Sequence, residues 1–151
     1  MAPERCQGCG AHAAQLDLCP SCTADLPWNR QCCPRCAQPL PVRALCRRCQ
    51  RRLPAWDRAF APFEHRDQVQ RGVVGLKYSA AFAQARTLGG LMAEQLARRP
   101  EPLPQLMIPV PLPRRRLYRR GYNQALEIAR ALQRTLAIDL DPTAALLLRT
   151  P

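Results

Sequence analysis

At 151 residues the chain has room for one ordinary domain, or for a small module joined to part of a larger one. All nine cysteines lie before residue 50, and 23 Lys and Arg against 11 Asp and Glu leave a formal charge of +12 at pH 7. No stretch approaches the roughly 18 uninterrupted apolar residues of a membrane span, and Met1 to Arg5 lack the apolar core of a signal peptide, so the expectation is a cytoplasmic chain without membrane insertion.

Four CxxC pairs come first: Cys6 with Cys9, Cys19 with Cys22, Cys33 with Cys36, and Cys46 with Cys49. In a reducing cytosol, cysteines spaced for clustering are metal ligands before they are disulfides. Two such knuckles complete a tetrahedron of thiolates, so four pairs point to two zinc ions; with every position taken by sulfur, no catalytic water has a place and both ions read as structural. A redox CxxC needs a strand before it and a helix after it, and does not explain four copies. Gaps of nine, ten and nine residues favour successive pairing, Cys6 to Cys22 and Cys33 to Cys49, over a crossed arrangement, which the spacing leaves open. Cys32 is left over as a free thiol, and His12 reads as a solvated loop residue.

So few large apolar residues precede position 50 that metal binding must supply most of this segment's folding free energy. A zinc held by four thiolates carries about −2, which lowers the surplus to roughly +8 and leaves it basic. Anionic partners follow, phosphate or nucleic acid. Arg47, Arg48, Arg51 and Arg52, around the last knuckle, read first as a solvated face and second as a nucleic-acid contact.

Pro54 opens a transition. Trp56 to His65 alternates in part and carries aromatics, which predicts an extended arm; His65 stands alone and reads as a surface or structural residue. Val69, Val73, Leu76 and Lys77 fit a short helix that Gly72 and Gly75 weaken. Phe82, Ala85, Leu88, Met92 and Leu96 recur at three and four residues, predicting a helix from Ala80 to Arg99 that Pro100, Pro102 and Pro104 end. The run QLMIPVPL predicts a buried parallel strand, followed by a basic loop with Arg114, Arg115, Arg116, Arg119 and Arg120. An apolar stripe from Tyr122 to Leu136 predicts a further helix, and Ala144 to Leu148 a further strand. Strand, loop, helix and strand make a βαβ unit, in which anions collect beyond the strand's carboxyl end and at the next helix's N-terminus. Gly121 would let backbone approach a phosphate closely. In a nucleic-acid reading of the same surface, Tyr118 and Tyr122 stack on bases while Arg114 and Arg115 contact phosphates.

The four CxxC pairs, GLKY at Gly75 to Tyr78 and IPVPLPRRRLYRRGYNQA from Ile108 to Ala125 together resemble the ComF family, bacterial double-zinc-ribbon proteins with a type I phosphoribosyltransferase-like domain. The resemblance implies an α/β chain in which a double zinc ribbon, 1–53, precedes a partial phosphoribosyltransferase-like α/β domain, 54–151. It also implies that Arg116, Arg119, Arg120, Gly121, Asn123 and Gln124 face the pyrophosphate of phosphoribosyl pyrophosphate, with Mg²⁺ accompanying that ligand only in a complete domain. The family's link to natural competence adds single-stranded DNA and competence proteins as expected partners. Type I enzymes carry a later strand ending in two acidic residues before a Thr-Thr-Gly-rich loop, and no stretch here matches it; the expectation is a truncated member without phosphoribosyl transfer, and no catalytic residue is assigned. The alternative is a nucleic-acid-binding zinc-ribbon adaptor.

Overall fold

The computed structural model describes residues 5–13 and 16–143. Among the described residues up to Arg52, helix is confined to two short segments, α1 (Pro20–Ala24) and α2 (Arg47–Arg51). Each starts directly after a cysteine, Cys19 or Cys46, whose Sγ accepts the backbone N–H three residues on at 3.5 Å, so that the sulfur serves as the N-cap. Isolated antiparallel bridges, Arg5 with His12 and Cys32 with Pro39, close the two ribbon loops.

Two longer helices follow, α3 (Asp67–Tyr78) and α4 (Phe82–Ala97), close to the spans that periodicity predicts. Every residue of α4 from Thr87 to Leu91 is buried, because α3, the first ribbon and α6 (Gln124–Gln133) all pack against it. A Cβ at Gly89 would stand 2.6 Å from the Cβ of Ala131, so α4 and α6 approach this closely only because position 89 carries no side chain. One core joins Cys6, Leu18, Cys19 and Leu26 of the first ribbon to Val69, Leu88 and Leu91; a second gathers Ala93, Leu132, Leu136 and Ile138; the second ribbon keeps a small cluster of Cys33, Cys46 and Cys49.

The sheet has two strands among the described residues, β1 (Leu106–Met107) and β2 (Asp139–Leu140), parallel, with Leu106 opposite Asp139 and Met107 opposite Leu140. The expected strand in QLMIPVPL therefore pairs over two residues and is not buried: Leu106, Ile108 and Val110 are exposed. Pro109, Pro111 and Pro113 have no N–H with which to extend the ladder. The expected basic loop is a helix, α5 (Arg114–Arg120). Arginine and leucine favour helix, no residue of the run is β-branched, Pro113 stands immediately before it, and Gly121 in the left-handed region at φ +82° stops it. Trp56 to His65 forms no strand; it contributes one bridge, Phe63 to Trp28, with ring centroids 4.8 Å apart. The predicted strand at Ala144 to Leu148 lies outside the described residues. With α5 and α6 between two parallel strands, the second half is α/β, and an N-terminal double zinc ribbon precedes it.

Candidate functional site

The eight CxxC cysteines gather as two quartets of successive pairs, Cys6, Cys9, Cys19 and Cys22, and Cys33, Cys36, Cys46 and Cys49, with all sulfurs of a quartet within 4.8 Å of one another. Cys9 and Cys19 are 3.7 Å apart at Sγ, and so are Cys36 and Cys46. A tetrahedron with zinc–sulfur arms of ~2.3 Å has an edge of about 3.8 Å, so these two distances match the edges of a tetrahedral zinc site. Each member of the second quartet lies 27 residues after its counterpart, Cys33 after Cys6 and Cys49 after Cys22, and the 27-residue shift also carries the Arg5–His12 bridge onto Cys32–Pro39. Cys32 thus occupies the position of Arg5, on the strand-like rim of the knuckle, and belongs to neither quartet.

Local electrostatics explain why the sites need a cation. Burial opposes charge on the Cys6 thiol, but backbone donors at Cys19, Cys9 and Gly8 outweigh it and hold the group at about 6. Cys33 repeats this at about 6, with burial outweighed by donors at Cys46, Cys36 and Arg35. Their neighbours bear the consequence: Cys22 is pushed up, first by its hydrogen bond with Cys6, and Cys49 is pushed up to about 12 by burial and then by Cys36 and Cys46. Four thiolates cannot share so small a volume without a divalent charge among them. The donor set, all sulfur and tetrahedral, fits zinc, and its role there is structural.

A second arrangement forms where α5 meets the end of α3. Arg119, Arg120 and Tyr122 line an open cleft of about 300 Å³ with Lys77, Tyr78, Ser79 and Ala80. Arg120 lies over the Tyr78 ring, 5.5 Å from its centroid. Tyr122 donates its hydroxyl to the Leu76 carbonyl and meets Phe82 edge-on at 4.7 Å, so it anchors one wall of the cleft. The two sequence motifs, GLKY and RRGYNQ, therefore converge on one cationic surface. Lys77 and Tyr78 escaped the sequence reading as site residues; the signal was their place in a motif separated from the arginines by some forty positions.

The other candidates divide. Asn123 caps α6: its Oδ1 accepts from Ala125 N at 2.9 Å while its Nδ2 donates to the Val110 carbonyl at 3.0 Å, which uses both ends of the amide. Gly121 serves as the left-handed stop of α5. Gln124 is half-buried, with its Nε2 unpaired. Arg114, Arg115, Arg116 and Tyr118 project from α5 into solvent, Tyr118 at 95% exposure. Arg47, Arg48, Arg51 and Arg52 line a different hollow, of about 830 Å³, beside Trp56 and the second cysteine quartet.

Residues 1–50 match the double zinc ribbon domain family. Along most of its length the chain is similar to competence protein F of Haemophilus influenzae, with 32% identity over 138 residues, 88% of this chain and 59% of that protein. It is similar to the DNA utilization protein YhgH of Shigella flexneri, with 30% identity over 132 residues, 84% of this chain and 58% of that one, and to YhgH of Salmonella typhi, with 31% over 113 residues, 72% and 50%. The chain spans between half and three fifths of the length of these relatives. No solved structure matches it. With a double zinc ribbon at its start and about 30% identity to competence protein F and its relatives along most of its length, the chain belongs to the ComF family.

Proposed function

We propose that the chain is a DNA-handling protein in which two zinc ribbons are scaffold and the cleft formed by Lys77, Arg119 and Arg120 contacts nucleic-acid phosphate. The observation that carries this reading is the convergence of three cationic side chains and the Tyr78 ring on one open surface, where no carboxylate lines the wall. Phosphates are held there as point charges, and sequence is not read; affinity comes from counterion release. The names of the relatives, DNA utilization and competence proteins, support single-stranded DNA as the ligand and competence proteins as partners. Division into a ribbon unit, 1–53, and an α/β unit, 54–151, is part of the same proposal. Fluorescence anisotropy with a labelled oligothymidylate tests it: the combined Lys77→Ala, Arg119→Ala and Arg120→Ala variant should bind roughly tenfold more weakly or worse, and unchanged affinity would sink it.

A second reading keeps the phosphoribosyltransferase likeness, and the parallel βαβ connection favours it. The same cleft then takes the pyrophosphate of phosphoribosyl pyrophosphate, with α5 as its cationic wall. Calorimetric titration separates the two: saturable heat with phosphoribosyl pyrophosphate and none with oligothymidylate would favour the transferase-like reading.

A further inference from the structure

A further cationic hollow, lined by none of the α5 residues, opens between the second ribbon, the segment 57–61 and the C-terminal end of α4, with a volume of about 550 Å³. Its walls carry six arginines: Arg30, Arg35, Arg43, Arg58, Arg98 and Arg99. Asp57 and Glu101 are the carboxylates in that wall. Glu101 is already committed, because Arg99 donates to it through Nε at 2.9 Å and Nη2 at 2.8 Å and Arg58 stands 3.6 Å away. Arg99 also lies over the Phe60 ring at 4.9 Å. Arg30, Arg43 and Arg98 remain exposed, and among the described residues no carboxylate pairs with them. Cations crowded into a concave surface focus their field on it, and an anion relieves their repulsion.

Two residues of the wall are held rigidly. The Nε of Arg35 and the Oδ1 of Asn29 have no hydrogen-bond partner. Asn29 is held in place through Nδ2, which donates to the carbonyls of Ala37 at 2.9 Å and Ala61 at 3.0 Å. Arg35 is fixed on both sides, with Nη2 donating to the Pro54 carbonyl at 3.4 Å and its own carbonyl accepting from Trp56 Nε1 at 2.9 Å. The Arg35 Nε and the Asn29 Oδ1 are both closed off from solvent, so the ligand is specified by charge and size: an anion that relieves the surplus of arginine. Inorganic phosphate is too small to fill 550 Å³, whereas a nucleotide is of the size such hollows take.

We propose that this hollow binds the phosphate of a nucleotide, with Arg30, Arg43 and Arg98 supplying the charge. The site is separate from the Lys77, Arg119 and Arg120 cleft and does not depend on that cleft being a DNA contact. Its ligand is either a free nucleotide or the terminal phosphate of a strand.

Cys32 supplies the reporter: it lines the hollow, is half-buried, and stands outside both cysteine quartets. In the zinc-loaded full chain its alkylation rate is followed by intact-mass spectrometry, alone and with thymidine monophosphate, thymidine, inorganic phosphate, or oligothymidylate with and without a terminal phosphate. Thymidine monophosphate or the terminally phosphorylated strand is expected to slow alkylation roughly tenfold, as loss of charge-assisted contacts would in reverse, and thymidine is expected to have no effect. Protection by the mononucleotide assigns a free ligand; protection by the phosphorylated strand alone assigns a strand end. Replacing Arg30, Arg43 and Arg98 together by Ala should abolish protection, and replacing them by Lys should restore part of it. Three results would overturn the site: no protection by either phosphorylated ligand, protection equal in the triple Ala variant, or protection that disappears instead with Lys77→Ala, Arg119→Ala and Arg120→Ala. Failure of oligothymidylate binding in the α5 variant, with Cys32 protection intact, would leave this site standing and remove only the α5 cleft.

Discussion

Gly10 and Ala37 hold the same place in the two ribbons, 27 residues apart, and both adopt left-handed backbone, at φ +78° and +59°. A Cβ at position 10 meets nothing within 4 Å, so conformation alone favours glycine there, and Ala37 bears a steric cost of about 1 kcal/mol that Gly10 escapes. Ala37→Gly is expected to raise stability by up to about 1 kcal/mol and Gly10→Ala to lower it by a similar amount, read by chemical denaturation of the zinc-loaded protein. The ligand residues bring a pH dependence of definite sign. Cys6 and Cys33 are held at about 6, below an ordinary thiol near 8.5, so their contribution is complete above the ordinary value and lost as pH falls through about 6. Protons compete with zinc for the same sulfurs, so release to a chromophoric chelator should increase as pH falls; release that does not change with pH would contradict thiolate ligation. At this scale the sequence was most informative, because CxxC spacing is a local constraint that carries the chemistry with it. The role of Asn123 was hidden, since a cap and a ligand contact ask for the same residue type.

Among the elements, the amphipathic helices were readable because burial of one face leaves a three-to-four residue period: α3, α4 and α6 fall close to the spans predicted from it. α5 was not, because five arginines in seven residues leave no apolar face to detect, and its ends depend on Pro113 and Gly121 instead. β1 reads as a longer strand than it is, since apolar residues alternate with prolines that cannot donate; β2 at Asp139–Leu140 gives no signal, being two residues recruited by pairing. The junction between these elements is tied by one side chain. Asn123 joins the start of α6 to the Val110 carbonyl after β1, so Asn123→Ala should cost about 1–2 kcal/mol through loss of the cap and an orphaned carbonyl. Thermal unfolding of the variant, with serine at position 123 restoring most of the cap, tests this.

Over the whole molecule, the two zinc sites are coupled to the remainder unequally. The first ribbon shares its core with α3 and α4, and Leu16 packs where Gly90 leaves room for it, whereas the second ribbon keeps its own small cluster. Composition divides the chain at the end of the cysteines, but this core crosses that division, a long-range fact that no local pattern carries. Cys6→Ser is therefore expected to raise amide exchange in α3 and α4, and Cys33→Ser to raise it mainly between residues 31 and 52, as mass-spectrometric hydrogen exchange would resolve. Equal exchange changes in both variants would contradict the unequal coupling. The two basic surfaces proposed as binding sites depend on this scaffold, one at the junction of α3 and α5 and one against the second ribbon.

The most direct measurement is the salt dependence of oligothymidylate binding by the zinc-loaded chain and by its Lys77→Ala, Arg119→Ala, Arg120→Ala variant. Single-strand binding loses about 0.7 in the slope of log affinity against log salt for each phosphate contact removed, so the variant's slope should be shallower by about 2. Equal slopes for the two proteins would contradict a phosphate contact at this cleft.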